Sequence, residues 1–161
     1  MVAESPGGVT LPGRSSVPIT GNRTTFSGFQ FRNGDIGTGE LIVVDSISNT
    51  ITECNIVGVV ASKYVHVNGG FHDNALTNFN IEGRPGTMNA GPAVHLSTSS
   101  RIVNHTTVRQ CTFLNALGAG GDFGNEPIRI GLGAEQNNVS AAVIEEHDFE
   151  NADWATVRPF P

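Results

Sequence analysis

The stretch Ile51-Thr52-Glu53-Cys54-Asn55-Ile56-Val57-Gly58 decides the fold, because the chain repeats it. Its frame is apolar-x-x-apolar-x-apolar, closed two residues later by Gly or Asn. The same frame recurs as Phe26/Phe29/Phe31 with Asn33, Leu76/Phe79/Ile81 with Gly83, Val108/Cys111/Phe113 with Asn115, and Ile144/His147/Phe149 with Asn151. From Phe31 to Ile56 is 25 residues, and from Ile56 to Ile81 is 25 again; the later steps are 32 and 36. The added length falls in Gly-rich stretches such as Gly118-Ala119-Gly120-Gly121. Between the frames lies a second strand-like run, at residues 41–44, 64–67, 94–96, 128–130 and 155–158.

A unit of about 25 residues with two or three short strands and no helix cannot bury its own apolar side, but stacked units bury it continuously. The repeat therefore predicts an all-β fold, a right-handed single-stranded parallel β-helix of five to six coils, as one domain over residues 1–161. Each coil sits about 4.8 Å from the next. Loop closure grows slowly in cost with length, so the longer steps loop outward without disturbing the stack. Asn and Gly at the coil corners suit tight αL turns. The alternative is a β-sandwich of irregular strands, which has no reason to repeat the same columns at a fixed period.

Composition agrees. Of 161 residues, 15% are charged, 20 are Gly, 15 are Asn and 14 are Thr, and Lys occurs once, at Lys63. Such a chain is poor in helix formers and rich in breakers, which excludes a helical bundle. A formal net charge of -6, with nine scattered Lys and Arg, excludes nucleic-acid binding driven by charge. No apolar run approaches a membrane span, and Met1-Val2-Ala3-Glu4-Ser5-Pro6 has neither the basic start nor the apolar core of a signal peptide. Three Asn-x-Ser/Thr sequences, at Asn22, Asn104 and Asn138, are expected by chance in a chain so rich in Asn and Thr. Cys54 and Cys111 occupy one column two coils apart, with Phe79 between them. Two coil spacings put their backbones about 9–10 Å apart, beyond the reach of a disulfide, so both are expected as buried thiols.

At these residues the chain resembles the chondroitinase-B-like and alginate lyase family of polysaccharide lyases. The stretches that carry the likeness are Val2 to Leu11 with Gly13-Arg14-Ser15-Ser16, and Phe26-Ser27-Gly28-Phe29-Gln30-Phe31-Arg32-Asn33-Gly34. Most specific are Asn125-Glu126-Pro127-Ile128-Arg129-Ile130-Gly131 and then His147-Asp148-Phe149-Glu150-Asn151. The likeness covers nearly the whole chain and the N-terminal half of a family catalytic domain. It implies a right-handed parallel β-helix, an extracellular or cell-surface location, and an acidic polysaccharide as partner. It also implies β-elimination on a uronate: calcium held by carboxylates neutralises the substrate carboxylate, a Lys takes the proton and an Arg assists. The family's Glu-x-Glu pair falls at Ala155 and Val157 here, and no Lys follows before Pro161. No catalytic residue, and no calcium or other cofactor, is therefore expected of this chain.

Other groups are candidate substitutes. Lys63, beside the second run, reads as a solvated surface Lys or, with a lowered pKa, as a base. Glu126 and Arg129, three apart on one strand, should point to opposite sides; Arg129 suits bidentate pairing with a uronate carboxylate. His66 and His95 lie on the same sheet and His147 in an inward column, each a structural histidine or a ligand contact. Asp122 and Asn125 offer oxygens to a cation, with no carboxylate pair behind them. The expected substrate-binding set is Lys63, His95, Glu126 and Arg129.

Three functions compete: a fragmentary lyase, a carbohydrate-binding remnant, and a non-catalytic solenoid subunit that stacks end to end. The missing acid pair opposes the first, and the negative charge opposes the first and third. Neither end reads as a capping helix, so the sequence favours a homo-oligomer or filament, with Trp154 and Phe160 as apolar anchors at the junction.

Overall fold

The computed structural model describes residues 8–14, 16–68, 71–84, 92–96, 103–104, 106–114, 128–130, 139–140, 143–145, 148–150 and 157–159. Strands are numbered in chain order. Sheet 1 holds β1 (Val9–Pro12), β4 (Phe29–Arg32), β7 (Asn55–Val57), β10 (Asn80–Glu82), β14 (Thr112–Leu114) and β18 (Asp148–Glu150). Sheet 2 holds β2 (Val17–Ile19), β5 (Glu40–Val44), β8 (Lys63–Val67), β11 (Val94–Leu96), β15 (Ile128–Ile130) and β19 (Val157–Pro159). Sheet 3 holds β3 (Thr25–Ser27), β6 (Thr50–Thr52), β9 (Ala75–Thr77), β13 (Thr107–Arg109) and β17 (Val143–Glu145). A two-strand ladder joins β12 (Val103–Asn104) to β16 (Val139–Ser140).

Every pairing is parallel, and each strand pairs with its counterpart one coil away. No helix occurs among the described residues. Three sheets that the chain visits in turn, coil after coil, make a parallel β-helix, as the 25-residue repeat predicts. Phe31, Ile56, Ile81, Phe113 and Phe149 follow one another in register on sheet 1. Phe26, Ile51, Leu76, Val108 and Ile144 do so on sheet 3. Ile51, Ile56, Ile81, Val108 and Phe113 are completely buried. Phe26 stacks on Phe29 with ring centroids 4.3 Å apart, which packs the first described turn.

Cys54 and Cys111 are buried and form no disulfide, and burial pushes each thiol up to about 11. They are core residues, inert as nucleophiles at neutral pH.

A buried polar spine runs beside the apolar columns. Asn74 Oδ1 accepts from the backbone N–H of Asn49 at 3.0 Å and from Asn49 Nδ2 at 3.1 Å, while Asn74 Nδ2 donates to Ser46 O at 3.1 Å. Asn49 Oδ1 in turn accepts from the backbone N–H of Thr24, one coil earlier. Each amide thereby closes backbone groups that the turn before sheet 3 would leave unpaired.

The corners use the left-handed region in stacked positions: Arg23, Ser48 and Asp73 before sheet 3; Gly28, Glu53, Asn78 and Gln110 between sheets 3 and 1; Asn33 and Gly58 after sheet 1. Gly34 is glycine for another reason. A Cβ there would lie 1.7 Å from the carbonyl oxygen of Gly13, so coils meet at that corner closer than any side chain permits.

Candidate functional site: the polar column on sheet 2

In sheet 2 the buried residues Ile42, Val65 and Val94 share one register, and Val44, Val67 and Leu96 another. Between these registers runs Val43–His66–His95, continued in backbone register by Arg129 and then Arg158. Leu41 and Tyr64 are also in the core, although each directly precedes a core residue. Strict alternation is therefore broken. The backbone N–H groups of Tyr64 and Val65 both donate to Ala93 O, at 2.9 and 3.0 Å, which is the signature of a β-bulge. The Tyr64 hydroxyl uses its inward position to donate to Val59 O at 3.0 Å.

The bulge returns Glu40 and Lys63 to the face that carries His66. Glu40 Oε1 accepts from Lys63 Nζ, and Glu40 Oε2 lies 2.7 Å from His66 Nδ1. Hydrogen bonding from His66 outweighs burial and, with the Lys63 ammonium, holds the Glu40 carboxyl at about 2. An ionised carboxylate only accepts, so His66 Nδ1 carries the hydrogen and Nε2 is the basic nitrogen of the neutral ring. That Nε2 is buried with no hydrogen-bond partner among the described residues. The His66 and His95 rings stack with centroids 4.9 Å apart and planes 6° apart, and both residues are buried.

The expected site residues divide accordingly. Lys63 is not a lone solvated lysine: its side chain is only 18% exposed and is tied to Glu40. Lys63 and His95 do come to one sheet, joined there by Arg129 in backbone register. Glu126, Trp154, Phe160, His147, Asp122 and Asn125 lie outside the described residues. Along β8 simple alternation does not hold, since Lys63 and His66 both meet Glu40. Glu40 itself was missed by the sequence reading. In the structure the second strand run starts one residue earlier than residues 41 and 64, at Glu40 and Lys63, which pair in register.

Among the described residues, no group of three or more His, Cys, Asp or Glu is placed to hold a metal ion. Val157, one of the two positions where the family's acid pair falls, shares the register of Ile128, Val94 and buried Val65, and Arg158 shares that of His95. A one-residue shift in the comparison changes nothing, because residues 155–158 read Ala-Thr-Val-Arg without a carboxylate. No helix among the described residues is long and apolar enough to cross a membrane.

Among the described residues, a helix-free stack of three parallel sheets defines a parallel β-helix. The chain matches the Chondroitinase B family over residues 1–156 and belongs to that family. No curated protein and no solved structure matches it.

Proposed function

We propose that the chain is an acidic-polysaccharide-binding β-helix that works outside the cell or at its surface and does not itself carry out β-elimination. One observation carries the reading: Lys63, His66 and His95 sit on one stretch of sheet 2, with Arg129 and Arg158 following in register. Groups repeated once per coil, about 4.8 Å apart, suit a polymer that repeats its own anionic groups. The local cations offset a formal net charge of -6, which works against binding and makes it salt-sensitive. Arg129 pairs best with a carboxylate or sulfate because its planar fork donates twice. Calorimetric titration with alginate and with chondroitin sulfate tests the reading. Binding weakened by salt and by Arg129→Ala supports it, and absence of binding to either polymer at low salt ends it. Elimination creates a conjugated double bond that absorbs in the ultraviolet, so a steady absorbance rise, with or without calcium, would refute the non-catalytic part.

A second reading, end-to-end stacking into filaments, is favoured by a separate observation. Among the described residues β1, β2 and β3 are the outermost strands of their sheets on the N-terminal side. A hollow there is lined by Val17, Pro18, Ile19 and Phe26 together with Thr20, Gly21 and Thr24, and Val9 on β1 is 40% exposed. Such an edge accepts another strand, and a heterologous contact between unlike ends propagates. Trp154 and Phe160 are the proposed anchors of the opposite end. Sedimentation at rising concentration decides: a monomer at all concentrations and salts removes this reading and leaves the first intact.

A further inference from the structure

We propose that the corner after sheet 1 is a second contact for the same anionic polymer, centred on Arg84 and completed by Arg14 and Arg32. This rests on the polysaccharide-binding reading above and adds a contact on another side of the coil. The Arg84 side chain runs back along the stack. Its Nη2 donates to Gly58 O at 3.0 Å and reaches Gly34 O at 3.4 Å, so one guanidinium lies across the corners of two earlier coils. Gly34 is pressed against the backbone of Gly13 at the same place. Arg14 directly follows Gly13, and Arg32 stands two residues before Gly34, so both belong to this corner. Arg14 and Arg32 are exposed, and Arg84 is half-buried.

Carbonyl oxygens hold this guanidinium without neutralising it. No ion pair of Arg14, Arg32 or Arg84 occurs among the described residues. Two carboxylates lie on the same side. Asp35 Oδ1 accepts from the Gly37 N–H at 2.9 Å, and Glu82 stands in register two coils from Arg32, a backbone separation of about 9–10 Å. An anion from outside can therefore complete the cluster. A guanidinium already fixed on the backbone loses little freedom when that anion takes its remaining N–H groups. The face beside the arginines selects the occupant. Gln30, Asn55 and Asn80 share the register next to that of Arg32, and Asn80 Nδ2 donates to Asn55 Oδ1 at 2.8 Å. Amides both donate and accept, which suits sugar hydroxyls, while guanidinium suits carboxylate or sulfate. An acidic polysaccharide presents both kinds of group, and an acidic peptide presents carboxylates without the hydroxyls. Gly58 precedes Lys63 by five residues, so the corner borders the edge of sheet 2 where the Lys63 cluster begins. Two contacts on one polymer then reinforce each other.

The test is calorimetric titration of the full chain with chondroitin sulfate at low salt, for the wild type and for Arg14→Gln, Arg32→Gln, Arg84→Gln and Arg23→Gln. Arg23 is exposed at the corner before sheet 3, so its variant removes the same charge from another place. Arg32→Gln and Arg84→Gln should each weaken binding by about threefold to tenfold, Arg14→Gln by somewhat less, and Arg23→Gln by less than about twofold. Affinity in the weakened variants should also depend less steeply on salt. Thermal melting verifies that each variant is folded; if Arg84→Gln is not, the two exposed arginines decide. Wild-type affinity in all the folded corner variants, or an equal loss in Arg23→Gln, overturns the second contact and leaves the sheet 2 reading standing. Polyglutamate bound as tightly as chondroitin sulfate, with the same losses in the variants, overturns the choice of occupant. Failure of the wild type to bind the polysaccharide at low salt overturns both readings.

Discussion

The column Phe31–Ile56–Ile81–Phe113 on sheet 1 and the column Val43–His66–His95 on sheet 2 are built on the same coils yet obey opposite rules. In the first, one member substitutes for another, since any large apolar side chain fills the interior at that point. In the second, the imidazoles depend on particular neighbours: His66 on Glu40, which Lys63 also holds, and His95 on the stacked His66 ring. The interior column is a matter of volume and water exclusion, and the outer column is a matter of pairing. Repetition makes the first robust, whereas the second fails if one partner is wrong.

The largest expected effect tests the interior. Ile56→Asp should leave the chain unfolded at room temperature by circular dichroism, because an unpaired charge in the column costs several kcal/mol, about the whole stability of a domain this size. A near-native melt would break the comparison at its root. Next comes the polar spine. Asn74→Ala strands the Asn49 N–H and the Ser46 carbonyl, so a loss of about 2–3 kcal/mol is expected in urea unfolding.

Glu40→Gln addresses the outer column and should cost about 1–2 kcal/mol near neutral pH. The sign with pH follows from a carboxyl held at about 2 against an ordinary 4.5. Glu40 contributes fully above the ordinary value, and its contribution is lost as pH falls through the window down to about 2. The stability gap between wild type and Glu40→Gln should therefore close across that window, and a constant gap would dissolve the proposed pairing. The smallest effect belongs to Thr52→Asp, at about 1 kcal/mol or less. Thr52 is half-buried, and its hydroxyl accepts from Thr77 Oγ1 at 2.9 Å, which the new carboxylate can also do. An effect on melting equal to that of Ile56→Asp would show the two faces to be interchangeable.

The difference between the columns also explains what the sequence made legible. Phe31, Ile56 and Ile81 announce themselves because each coil buries the same place, and repetition survives substitution. Corners at Asn33 and Gly58 were legible because those residues tolerate φ near 50–64°. Arg23, Ser48, Glu53 and Gln110 hold similar angles without the residue type that signals them, since the stack above and below imposes the turn. Glu40 was hidden by the bulge. Counting by twos along β8 puts Lys63 and His66 on opposite faces, and only the doubled hydrogen bond to Ala93 O reverses the count. The cluster is written in backbone geometry that no pairwise spacing records.

The pairing of Ile81 with Phe113 spans 32 residues, where the two preceding steps on that column span 25, and the register is kept. That invariance has an evolutionary consequence. A coil's circumference is free to change while its rungs stay fixed, so insertions and deletions at the junctions between rungs pass through selection with little penalty in the interior. Lineages can therefore rewrite one side of such a solenoid rapidly, trying new surface chemistry there, while the ladder beneath is inherited nearly unaltered.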